Sequence, residues 1–67
     1  MMSRQNEIFF NETAGKIDDT LEWCMGMIEI LIEKESNSDI GNAMTGVLCL
    51  LKTCQGHAED IMKKTDF

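Results

Sequence analysis

Two stripes of apolar residues run through the 67-residue chain at the same spacing. The first is Phe10, Ala14, Ile17, Leu21, Cys24, Ile28 and Leu31, and the second is Ile40, Met44, Val47, Leu51, Cys54, Ala58 and Ile61. Both advance in alternating steps of 4 and 3, the spacing of a helix that pairs along a supercoiled seam. With the second stripe reversed against the first, Leu31 meets Ile40, Ile28 meets Met44, Cys24 meets Val47 and Leu21 meets Leu51. Ile17 then meets Cys54, Ala14 meets Ala58 and Phe10 meets Ile61, so one antiparallel register satisfies every layer. The pattern predicts an all-α chain folded as an antiparallel two-helix hairpin in a single domain.

Boundaries follow from the polar positions. Residues 1–9 read as a tail without a clear period, and Asn11, followed by Glu12, reads as the N-cap of helix 1. An earlier start, near Ser3 or Asn6, is the alternative. Helix 1 is expected over about 11–35 and helix 2 over about 39–64, with a turn at about 36–38. The run Glu35-Ser36-Asn37-Ser38-Asp39 holds turn formers and caps, with Ser36 or Ser38 expected to cap helix 2. Lys63 and Lys64 complement the dipole at its end.

More apolar residues are present than one helix–helix seam absorbs. Trp23, Met25, Met27, Ile30, Ile32, Leu48, Leu50 and Met62 flank the two stripes and would form a larger exposed patch than soluble monomers ordinarily carry. Two hairpins joined about a two-fold axis would bury them, so the pattern predicts a homodimeric four-helix bundle. In layout such a dimer resembles the plasmid copy-number regulator Rop, a dimer of helical hairpins. The resemblance is one of architecture and implies, as an alternative, a nucleic-acid-associated regulator. A second stripe on helix 2, Asn42, Gly46, Cys49, Thr53 and Gly56, is small and neutral, and no charge occurs from Ile40 to Leu51. A solvated helix back ordinarily carries Lys and Glu. These leftovers make Trp23, Met27, Ile30, Gly46, Cys49 and Thr53 the candidate partner-binding residues.

Charge narrows the partner. The net charge is −6, and residues 11–35 carry Glu12, Asp18, Asp19, Glu22, Glu29, Glu33 and Glu35 against only Lys16 and Lys34. An acidic helix repels phosphate, so nucleic acid and anionic membrane are disfavoured and a protein with a basic or helical surface is favoured. The apolar runs are too short to span a membrane, and the first residues show no secretory leader. Three cysteines make no disulfide framework, which suits a reducing cytoplasm.

Candidates for chemistry are sparse. Cys54 and His57 share a helical face, but a closed zinc site needs four ligands, so metal binding would require a second copy. Cys54, His57 and Glu59 or Asp60 are the only possible nucleophile set, and a seam thiol without an electropositive neighbour is inert. Cys49 lies outside the seam and is the thiol expected to react most readily. The residues therefore predict a small acidic, non-enzymatic interaction module with no cofactor, acting as a regulatory or adaptor protein. A small-molecule- or metal-binding bundle is the remaining alternative.

Overall fold

The computed structural model describes residues 3–65 and consists of two α-helices packed as a hairpin, α1 (Arg4–Lys34) and α2 (Ser38–Lys64). Helix α1 has 31 residues and starts well before Asn11. Ser3 is its N-cap: the backbone is extended there and the Oγ accepts a hydrogen bond from the Asn6 N–H at 3.2 Å. Glu7 then sits in the first turn, where a carboxylate suits the helix dipole. Residues 4–9 are thus helical rather than a tail, and residues 1 and 2 lie outside the described residues.

Asn11 performs a different task from capping. Inside α1, its Nδ2 donates to the Met62 carbonyl at 3.2 Å and to Thr65 Oγ1 at 3.1 Å. Met62 belongs to the last turn of α2, whose carbonyls have no partner within the helix. Asn11 and the Thr65 cap close that end: the Thr65 N–H donates to Ile61 O, and the Thr65 hydroxyl bonds the same carbonyl.

The turn is as short as predicted, but its cap is Asn37, not Ser36 or Ser38. Asn37 Oδ1 accepts from the N–H groups of Asp39 (2.9 Å) and Ile40 (3.1 Å), and Glu35 Oε1 accepts from the Asn37 N–H at 3.0 Å. A Glu35–Asn37 pairing therefore holds the extended backbone from which α2 begins. Helix α2 then runs 27 residues and ends with Lys63 and Lys64 in its last turn.

The helices meet along a seam that differs in phase from the two stripes. Ala14, Met25, Ala58 and Thr65 are buried. Asn11, Asp18, Leu21, Ile28 and Ile32 of α1 are half-buried, as are Gly41, Met44, Leu48, Leu51, Gln55 and Met62 of α2. Ala14, Leu21, Ile28, Met44, Leu51 and Ala58 are common to stripe and seam. Apart from the Thr65 cap, the remaining seam positions are each one residue further on, a rotation of about 100° about the helix axis. Phe10, Ile17, Leu31, Ile40, Val47, Cys54 and Ile61, which the stripes place in the seam, are exposed. Met25, Ile32, Leu48 and Met62, which the stripes leave as flanks, fill it instead. The antiparallel register is retained.

The result is an elongated molecule with extents of 50 × 16 × 12 Å and a radius of gyration of 15.4 Å, against about 11 Å for a compact chain of this length. Its accessible surface is 5232 Å², compared with roughly 4300 Å² for a compact monomer of its mass. No large side chain among the described residues is fully buried. The hairpin alone leaves its burial unfinished.

Candidate interaction surface

Each helix has two flanks beside the seam, and the antiparallel pairing places like flanks together. On one side, Gln55 Nε2 donates to Glu22 Oε1 at 3.3 Å, and a Cβ on Gly15 would meet Met62 Sδ at 3.9 Å. This side also carries Glu29, Lys52 and Glu59 and is polar and charged.

The opposite side is apolar from end to end. It consists of Phe10, Ile17, Cys24 and Leu31 of α1 beside Ile61, Cys54, Val47 and Ile40 of α2. Phe10 and Ile61 line a common recess at the open end of the hairpin, together with Lys64 and Thr65. The large members are 42–53% exposed. Outside this band lie Thr13, Thr20, Met27 and Lys34 on α1 and Ala43, Leu50, His57 and Lys64 on α2. No Asp or Glu among the described residues falls on the band or its rim, although the chain carries 12 acids and a net charge of −6.

The acids crowd instead onto the other surfaces of α1. Seven acids (Glu7, Glu12, Asp18, Asp19, Glu22, Glu29 and Glu33) against Arg4, Lys16 and Lys34 give α1 a formal charge of −4. In α2, Asp39, Glu59 and Asp60 balance Lys52, Lys63 and Lys64. Charge is thus divided by helix as well as by face.

The predicted partner-binding residues are all exposed but fall in two separate places. Trp23 (74% exposed), Met27 and Ile30 form a ridge on the outward side of α1, where they line a shallow depression with Glu22 and Gly26. Asp19, Glu22, Glu29 and Glu33 run beside this ridge. Gly46, Cys49 and Thr53 lie on the outward side of α2, away from α1. A Cβ on Gly46 would meet nothing within 4 Å, and Thr53 turns its hydroxyl back to the Cys49 carbonyl at 3.0 Å. The back stripe of α2 is therefore open space, with no closely approaching helix within the hairpin.

Spacing alone mislocates the eight-residue apolar band, because its members look like the seam. The available signal is the distribution of acids. Every acid among the described residues avoids one pair of helical positions, and an ordinary solvated flank shows no such avoidance.

Cys54 and His57, three residues apart, are both exposed on α2, and Cys24 and Cys49 are also free thiols. Among the described residues no three His, Cys, Asp or Glu side chains gather as a metal site, and no helix is long and apolar enough to cross a membrane. Comparison of the chain with protein-family models, with curated proteins and with solved structures finds no match.

Proposed function

We propose that the protein is a small non-enzymatic interaction module. Two hairpins join through their acid-free bands into a homodimeric four-helix bundle, which leaves the α1 ridge outward to receive a basic helical segment of another protein. The observation that carries this reading is the acid-free band in a strongly acidic chain. The surface excess of the hairpin over a compact monomer, about 900 Å², is close to the ~800 Å² per partner of a standard interface. A second copy fits the band because the band is long, straight and apolar, like the seam beside it.

The ridge has a different character. Trp and Met are common anchors of transient interfaces, and a row of carboxylates beside them complements Lys or Arg on an incoming amphipathic helix. Trp23 is the only tryptophan and so reports on this surface directly. Sedimentation equilibrium should give twice the chain mass, with Trp23 emission still water-exposed and quenched by acrylamide. Titration with a synthetic amphipathic peptide rich in Lys and Leu should blue-shift and protect that emission, while an acidic analogue should not. A monomer mass would remove the bundle. Equal response to the two peptides, or response to neither, would remove the basic-partner reading.

A further inference from the structure

We infer that Gly26 is the specificity-determining position of the α1 ridge: its bare backbone leaves a notch that receives one arginine side chain of the basic helix bound there. This rests on the ridge reading proposed above and names the contact that selects the partner.

A glycine inside a helix is unfavourable relative to alanine, so each one in a small hairpin calls for a reason. The fold supplies none at Gly26. No glycine among the described residues has a positive φ, and a Cβ on Gly26 would meet nothing within 4 Å. Gly26 is exposed, so no close approach of α2 requires it.

Its neighbours on α1 do supply a reason. On a helix surface a residue is ringed by those three and four places away. For Gly26 these are Trp23 and Ile30 on one side and Glu22 and Glu29 on the other. The carboxylate row runs through the same position: residues 19, 22, 26, 29 and 33 advance by 3, 4, 3 and 4, with Gly26 at the centre of four acids. The depression found there is lined by Glu22, Trp23, Gly26, Met27 and Ile30. None of the other four glycines has an apolar pair on one side and an acid pair on the other.

A notch with one apolar and one acidic wall fits a side chain with an apolar stem and a cationic head. Arginine suits both walls, because a guanidinium lies flat on an indole and still donates to a carboxylate. Gln55 Nε2 donates to Glu22 Oε1, which steadies that carboxylate beside the notch. Any side chain at position 26 would occupy the space that the arginine stem needs.

The test is isothermal titration calorimetry of the full chain with two synthetic amphipathic peptides, one built from Leu and Arg and one from Leu and Lys. The wild type should bind the Arg peptide about fivefold more tightly than the Lys peptide. Gly26→Leu retains every acid, and should bind the Arg peptide about tenfold more weakly and lose the preference. Gly26→Ala should raise the urea midpoint yet weaken binding of the Arg peptide, a combination that a purely structural glycine does not give. Gly46→Ala should raise the midpoint and leave binding as it is. Wild-type affinity in Gly26→Leu and Gly26→Ala, or equal affinity of the wild type for the two peptides, would overturn the notch while leaving the ridge as a site for basic helices. A wild-type chain that binds neither peptide would overturn both.

Discussion

Individual polar residues in the seam carry opposite consequences. Asn11 is satisfied twice, by the Met62 carbonyl and the Thr65 hydroxyl, and ties the first third of α1 to the end of α2. Its removal by Asn11→Ala leaves both acceptor groups without their donor at a partly buried site, and should cost about 1–2 kcal/mol. A lower urea midpoint with an unchanged slope would show it. Asp18 is the reverse case. It faces the seam half-buried, and its Oδ1 is buried without a hydrogen-bond partner. Such a group costs about 1–3 kcal/mol, so Asp18→Leu should raise the urea midpoint, in contrast to most core substitutions. A lower midpoint would mean that the carboxylate has a partner elsewhere in the assembly. Asn11 and Asp18 also explain why the seam is hard to recognise: two of its α1 positions are polar, whereas the exposed band has only apolar ones.

At the level of the helix, type, direction and register are legible in the sequence, and phase is not. A 4–3 repeat through Ala14, Leu21 and Ile28 can be completed by Phe10, Ile17, Cys24 and Leu31 or by Asn11, Asp18, Met25 and Ile32. Hydrophobicity favours the first set. The hairpin buries the second, in which Met25 and Ile32 share the seam with Leu48 and Met62 of α2, and Asn11, though not Asp18 Oδ1, finds cross-helix partners at Met62 and Thr65. The first set then becomes a second face. The helix ends are legible to within a residue except at the start of α1, whereas the capping residue is not, because Ser3, Asn11, Ser36, Asn37 and Ser38 are all competent caps by type. Position is decided by the acceptors and donors around them, such as Glu35 at the Asn37 N–H. Asn37→Ala should therefore cost about 1 kcal/mol of stability, and Ser36→Ala little, as measured by paired denaturant melts. Gly46 offers the complementary change. Nothing lies within 4 Å of its missing Cβ, and Gly46→Ala should stabilise α2 by about 0.5–1 kcal/mol, since glycine in a helix interior is unfavourable by that amount. A destabilised Gly46→Ala would instead reveal a neighbour packed on the back of α2.

For the whole molecule, the decisive quantity is the apolar surface that the hairpin leaves in water. Ala14, Met25 and Ala58 are its only buried apolar residues among those described, a small core for a chain of this length, and chains this short commonly add a staple. The free cysteines rule out a disulfide between described residues as that staple in this structure. Association is the remaining source of burial that the surface offers. If two chains share one core, unfolding is coupled to dissociation, and the melting temperature of the wild-type protein must rise with concentration. A melting temperature unchanged over a hundredfold dilution series would sink the bundle. Ile17→Glu sharpens the test by placing a carboxylate in the middle of the acid-free band. Ile17 is 44% exposed in the hairpin, so the single chain tolerates the change, whereas a face-to-face pair would have to bury two unpaired charges. The variant should sediment as a single chain whether or not it keeps its helicity. Lys16→Glu, one residue away on the outer side of α1, makes a larger change in net charge. It should nevertheless leave the sedimenting mass and the concentration dependence as they are, because what matters for association is which face carries the charge.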